Sequence, residues 1–348
     1  MNFTGLGPYK WKYKTDRPLT EDERRNRLDK EHTASREPND DLSVARINST
    51  YMELVDRWYA DKGHAVIYGI IGAAPMLALV AIGIQTAKEM AANISPGEIL
   101  FLSLMLLFCT SFLLGFLYLS CFEAFRRTHY PIRLNRKNRM IYAFRPNGTI
   151  IRVPWDNLFV CEGSHYVPLM GRRFYDIRAH ILDKDGVTVR ETFALGYPFF
   201  GDEDRILPLW EYIRRYMEDD KGVKKNHETT DLCMPVGERR EGLYFGIVRG
   251  FGIAAFSPYI AQPLMSPFWA VITWGRLIAM YTSRVPHWPE DIETECRVDE
   301  NDPYRKDWRD NGKFTFIEGP WPVICFVIGS TIAITAIYLT ITSMANAM

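Results

Sequence analysis

The chain has 348 residues, which is enough for two modest domains or for one domain with several membrane segments. Its 42 basic and 42 acidic side chains give a formal net charge of zero, whereas a nucleic-acid-binding domain usually carries a basic excess. The six cysteines include no CxxC pair, so they show the pattern of neither a disulfide framework nor a zinc site. Composition therefore argues against a nucleic-acid partner and directs attention to how the apolar residues are distributed.

The N-terminal region, residues 1–64, is polar and charged up to about Asp41 and lacks the apolar core of a cleavable signal peptide. Apolar residues then recur at helical spacing, at Val44, Ile47, Tyr51, Leu54, Val55 and Trp58. This period predicts an amphipathic helix, which would either lie on the membrane surface or bind a partner.

Three stretches are apolar over the length that a helix needs to cross a bilayer, about 20 residues. We predict a transmembrane helical hairpin over 65–122 and a C-terminal transmembrane helix over 320–344. The alternative, a buried helix of a large soluble core, is disfavoured because each stretch is apolar on every side.

Basic residues, with no acidic residue among them, follow the second stretch. They are Arg126, Arg127, Arg133, Arg136, Lys137 and Arg139. Positive charge concentrates on the cytoplasmic side of membrane proteins, so we predict that the N-terminus and the region after the hairpin are cytoplasmic. The same basic cluster could also face anionic lipid headgroups, which makes membrane lipids a predicted partner.

Residues 126–222 have the pattern of short strands separated by turns, followed by one helix. The predicted strands cover 132–135, 140–144, 149–153, 158–161, 174–182 and 187–195, and the helix covers 206–217. Leu209, Trp210, Ile213 and Met217 form the apolar face of this helix, and Glu211, Arg214, Arg215 and Glu218 form the charged face. The order resembles a pleckstrin-homology-like (PH-like) cytoplasmic β-barrel closed by a C-terminal helix, with Val153–Leu158 as its strand–turn segment. The predicted fold class is an α+β membrane protein.

Residues 243–282 have an ambiguous pattern. Small residues spaced four apart, Gly242, Gly246, Gly250 and Ala254, predict close helix packing. Arg249 and Arg276 interrupt the apolar pattern and would be costly at the centre of a bilayer. A re-entrant hairpin, two short spans and interfacial helices all remain open, and a single crossing would place the acidic loop 283–319 outside the cell.

The sequence shows no motif for a catalytic, cofactor-binding or metal site. Cys161, His165, Asp176 and His180 could converge in the β-domain, but ordinary strand and loop positions explain them more simply. We therefore predict a protein that is not an enzyme and has no cofactor.

Three segments resemble a family of uncharacterised proteobacterial membrane proteins that are often encoded near type VI secretion effectors. The segments are 129–140, 153–156 and 185–195. The resemblance implies a multi-pass protein of the bacterial inner membrane that serves as an immunity or accessory protein, with a secreted toxin or another envelope protein as its partner. The alternative is a membrane-tethered scaffold or sensor whose PH-like domain binds lipid or a protein. A transporter is weaker, since Arg249 and Arg276 are its only support.

Overall fold

The computed structural model describes residues 13–90, 95–167, 171–252 and 255–347. The chain divides into two compact units. Unit 1 consists of the residues up to Ala60, Arg127–Glu241 and Val285–Lys313; unit 2 consists of Asp61–Arg126, Gly242–Arg284 and the residues from Phe314 onward. The predicted β-domain boundary, 126–222, was therefore too narrow, because strands from both flanking regions complete the sheets.

Unit 1 is built on antiparallel strands. They are β1 (Arg17–Pro18), β2 (Val44–Ile47), β3 (Tyr51–Leu54), β4 (Ile132–Asn135), β5 (Met140–Phe144), β6 (Ile150–Pro154), β7 (Leu158–Val167), β8 (Arg172–Leu182), β9 (Thr188–Ala194), β10 (Phe199–Phe200) and β11 (Lys306–Asp307). One sheet has the order β11-β2-β3-β4-β5-β6. The other has the order β1-β9-β8-β10, with β7 also paired to β8.

Helices occur in both units. They are α1 (Glu21–Arg25), α2 (His64–Met90), α3 (Pro96–Ser120), α4 (Ile206–Glu218), α5 (Gly222–Thr229), α6 (Leu243–Phe251), α7 (Ala261–Leu264), α8 (Ser266–Thr282), α9 (Glu290–Glu295) and α10 (Pro320–Ala347). The mixed α+β class is thus confirmed, and α4 ends within one residue of its predicted end.

The core of unit 1 lies between the two sheets and α4. Apolar side chains from strands of both sheets share one buried cluster with Leu209, Trp210 and Ile213, which confirms the predicted apolar face of α4. The charged face of α4 is not fully exposed, because Glu211 and Arg214 are also buried. Arg214 donates both Nε and Nη2 to the Glu211 carboxylate, at 2.8 and 2.9 Å, so each charge is neutralised where it is buried.

The amphipathic helix predicted after Asp41 is instead the β2–β3 hairpin. Asn48 starts the turn, since its side-chain oxygen accepts hydrogen bonds from the backbone N–H groups of Thr50 and Tyr51. The register of β2 against β3 shifts between Val44 and Arg46, as it does at a β-bulge. A bulge can place residues three apart in the sequence on the same face of a strand, and this is also the spacing of residues on one face of a helix.

Unit 2 contains three helices that are long and apolar enough to cross a membrane: His64–Met90, Pro96–Ser120 and Pro320–Ser343. Ser95 caps the second of them in a capping box with Glu98. The helices α2 and α3 approach closely at Gly69, where an added Cβ would lie 2.5 Å from the carbonyl oxygen of Phe116. The 243–282 region forms the shorter helices α6, α7 and α8.

Candidate binding site

A cleft of about 300 Å³ lies in unit 1 between the β2–β3 hairpin and residues 293–307. The tip of the hairpin holds these segments together. The Asp302 carboxylate accepts hydrogen bonds from the backbone N–H and the hydroxyl of Ser49, both at 2.7 Å, and β11 pairs with β2. The charged lining residues are Arg46, Glu238, Glu293, Arg297, Arg305, Lys306 and Asp307.

Arg46 of the lining is also the first of three charged side chains that lie opposite one another on neighbouring strands. Arg46 of β2 is opposite Glu53 of β3, and Glu53 is opposite Arg133 of β4. The carboxylate of Glu53 lies 2.6 Å from Arg133 Nε and 3.6 Å from Arg46 Nε. In this charged row (Arg46, Glu53 and Arg133), Glu53 and Arg133 are buried, at 1% and 2% exposed, and the Arg46 side chain is partly buried, at 18% exposed.

The neighbours of Glu53 stabilise the ionised form of its carboxyl group. Burial alone would raise its pKa, but the guanidinium groups of Arg133 and Arg46 outweigh burial and lower the pKa to about 2. Trp288 adds a hydrogen bond from its indole N–H to Glu53 at 3.0 Å. The Arg133 guanidinium also stacks between the rings of Tyr51 and Trp288, at 4.5 and 4.8 Å from their centroids.

The acidic helix α9 docks on the same face of the sheet through its carboxylates. Glu293 accepts a hydrogen bond from Arg133 of β4 at 3.0 Å. The next two strands supply the partners of the other two acids, with Tyr142 donating to Glu295 and Arg152 to Asp291. The predicted acidic loop 283–319 therefore includes a helix held on unit 1 by side chains from three successive strands.

The acidic residues of the cleft lining all have basic partners. Glu293 is paired with Arg133. Glu238 lies 3.0 Å from Arg46 and 3.1 Å from Arg309, and Asp307 lies 3.1 Å from Arg309. The lining thus offers no unneutralised carboxylate to a ligand.

The predicted basic cluster does not form one exposed patch. Arg133 is buried in the charged row and cannot face lipid, and Arg139 pairs with Asp156 and Glu218. Arg126 and Lys137 have exposed side chains. The partly buried members are Arg127, Arg136 and Arg139. Arg133 therefore cannot belong to a lipid-facing surface, and a lipid-facing or topology-setting role of the other members stays a prediction.

The predicted helix-packing residues have different roles. Gly250 packs closely, since an added Cβ would lie 2.3 Å from Thr273 Oγ1 on α8, and Gly246 is buried. Gly242 is the N-cap of α6 with open space around it among the described residues. Ala254 lies outside the described residues.

Cys161 and His180 do meet in the second sheet, but not as a nucleophile and its base. The thiol lies 3.4 Å from His180 Nε2, and the Glu23 carboxylate lies 3.4 Å from the same nitrogen. In a catalytic triad, the nucleophile and the acid contact opposite nitrogens of the histidine. Burial also raises the pKa of the Cys161 thiol to about 12, which opposes formation of the reactive thiolate.

The other two residues of that predicted group lie elsewhere. Asp176 is buried in ion pairs with Arg57 and Arg178, each at 2.8 Å, and His165 is opposite Phe174 on the neighbouring strand. In the described part of the chain, no group of three or more His, Cys, Asp or Glu residues could hold a metal ion.

The cleft was not predicted from the sequence, although one residue indicated a buried ion pair beside it. Glu53 stands in the apolar segment Tyr51–Leu54, where a charge is unexpected unless it has a buried partner. The matching charge, Arg133, stands in the apolar strand β4. The helical interpretation of 44–58 concealed this match, because Glu53 is not one of the residues of the predicted apolar face.

No curated protein and no solved structure shows significant similarity to the chain. A family model, described as a family of unknown function (DUF6708), matches residues 106–300, which is more than half of the chain. The match includes β4–β9, α4 and α9. The chain therefore belongs to the family of unknown function DUF6708.

Proposed function

We propose that the chain is a non-enzymatic protein of the bacterial inner membrane that acts by binding a protein partner. The partner would be a type VI secretion toxin that acts at the membrane, which makes the chain its immunity or accessory protein. The observation that carries the proposal is the cleft, whose lining rests on the charged row. A preformed site of this kind favours binding, because few of its groups lose freedom when a partner arrives.

The proposed orientation places unit 1 in the cytoplasm. Three helices are long and apolar enough to serve as spans. The strand before α2, β3, pairs with the strand after α3, β4, so the two ends of a spanning hairpin would lie on one side of the membrane. Arg126 and Arg127, at the exit of that hairpin, favour the cytoplasmic side.

The same reasoning applies to the region 242–284. Residues on both sides of it belong to unit 1, and β11 pairs with β2. This arrangement favours zero or two crossings by α6–α8 and disfavours a single one. The helix α10 would then cross outward and leave the C-terminus in the periplasm.

We further propose that the β-domain has a PH-like fold. The support is that antiparallel strands of two sheets and one following helix, α4, share a single core. The alternative role of such a domain, a sensor that binds lipid, has less support because Arg133 of the basic cluster is buried.

Co-expression with the toxin encoded beside this gene tests the proposed function. Cells that carry the native chain should survive induction of the toxin, whereas cells with an empty vector should die. A C161S variant is the matched control, and we expect it to protect as well as the native chain because the thiol is buried and unreactive. Equal killing with and without the native chain would contradict the immunity role.

A further inference from the structure

Two arginines of the cleft lining differ from the rest of its charged groups. Arg297 and Arg305 are exposed, line the cleft, and form no ion pair with any other described residue. The acidic residues of the lining are already neutralised by Arg46, Arg133 and Arg309. The cleft therefore has an excess of positive charge at these two guanidinium groups.

The neighbouring helix shows which chemistry this face of the sheet accepts. The carboxylates of α9, at Asp291, Glu293 and Glu295, meet side chains of three successive strands. The cleft begins where α9 ends, since Cys296 and the two residues after it line it. An acidic polypeptide thus already occupies the adjoining part of the same surface.

We infer that the cleft binds an acidic peptide segment of a partner protein, with carboxylates placed at Arg297 and Arg305. Guanidinium groups form paired, charge-assisted hydrogen bonds with carboxylates. A free phosphate ion could use the same groups, but it would fill only a small part of a cleft of about 300 Å³. The inference rests on the proposed function, because the partner is the protein that supplies the acidic segment.

Binding of a fluorescein-labelled hexaglutamate peptide to the full-length chain in detergent tests this inference. The test variant is R297E/R305E. The matched control is R25E/R36E, which makes the same change in net charge at two exposed arginines outside the lining. By fluorescence anisotropy, we expect about tenfold weaker binding to R297E/R305E and little change for the control, as for the loss of close charge pairs. Both variants should keep the melting temperature of the native chain, because neither pair of arginines is buried.

Three outcomes would overturn the inference. They are no binding of hexaglutamate to the native chain, equal weakening in both variants, and displacement of the peptide by inorganic phosphate at an equal concentration of negative charge. Toxin binding separates this inference from the proposed function. If hexaglutamate binds as expected but the toxin does not bind, the immunity role fails; if the toxin binds native and R297E/R305E chains equally, the cleft is not its site.

Discussion

Glu53 and Arg133 form a buried ion pair, with 2.6 Å between Oε2 and Nε, although the hairpin α2–α3 separates them in the sequence. They are also direct cross-strand partners in the pairing of β3 with β4. One folded unit is therefore assembled from chain segments on both sides of the apolar hairpin. This pair links the architecture of unit 1 to the cleft, because Arg133 also holds Glu293 of the lining.

The charged row should contribute strongly to the stability of unit 1. Glu53→Gln should destabilise unit 1 by about 3 kcal/mol, since it removes the buried carboxylate that neutralises Arg133 and leaves only the half-exposed Glu293 as its partner. Glu293→Gln is the control, because the Glu293 side chain is 51% exposed and exposed pairs contribute about 0–1 kcal/mol. Thermal unfolding of the two variants in detergent should show a clearly larger loss for E53Q.

The dependence on pH gives an independent check of the same pair. The pKa of Glu53 is lowered from 4.5 to about 2 in the folded chain. Its stabilising effect is therefore complete above pH 4.5 and is lost as the pH falls toward 2. The difference in melting temperature between the native chain and E53Q should shrink over that range; a constant difference would contradict the ionised pair.

Asp40 should show the opposite dependence on pH. Burial raises its pKa from 3.8 to about 6, and its Oδ2 has no hydrogen-bond partner among the described residues. The folded chain therefore holds this proton more tightly than the unfolded chain, and stability falls as the pH rises from 3.8 through 6. The Asp40→Asn variant lacks this titration. The free energy of unfolding of the variant, minus that of the native chain, should therefore increase by about 1–3 kcal/mol between pH 4 and pH 7. A relative stability that stays constant with pH would show that Asp40 titrates normally.

The proposed topology predicts the labelling of engineered cysteines by an impermeant maleimide. In a background where the exposed Cys121 is replaced by serine, K184C and K313C should be protected in intact spheroplasts and labelled after lysis. Both positions are exposed in unit 1. A cysteine appended after Met348 should be labelled in intact spheroplasts. Labelling of K313C before lysis would indicate a single crossing by α6–α8.

Packing of α6 against α8 should depend on Gly250. Gly250→Leu forces a side chain into the space held by Thr273, and overpacking of this kind typically costs about 1–3 kcal/mol. Gly242→Leu is the matched control, because its surroundings are open among the described residues. The melting temperature of the detergent-solubilised chain should fall for G250L and change little for G242L. Equal melting temperatures of the two variants would show that Gly250 does not lie in the packing interface.

Local signals predicted much of unit 1 correctly. The strands β4 and β5 have their predicted bounds, because a polar turn of Arg136, Lys137 and Asn138 separates two apolar runs. The apolar face of α4 was also readable, because its period is regular over the whole helix. The spans of unit 2 were predicted from length and apolarity alone, the same properties that identify them in the structure.

Long-range relationships could not be predicted in the same way. Glu53 and Arg133 are 80 residues apart in the chain, and no local pattern shows that they pair. The docking of α9 depends on three strands that precede it by more than 130 residues. The cleft is formed by these distant contacts, so its lining residues carried no motif that a single sequence could reveal.

The most direct test of the central claim is the affinity of the purified full-length chain for the proposed partner, a type VI secretion toxin. Isothermal titration calorimetry in detergent should show one toxin bound per chain, with a Kd of about 1 μM or tighter, corresponding to about −8 kcal/mol. Under the same conditions, the absence of detectable heat with a toxin that is folded and active would contradict a role as its immunity or accessory protein.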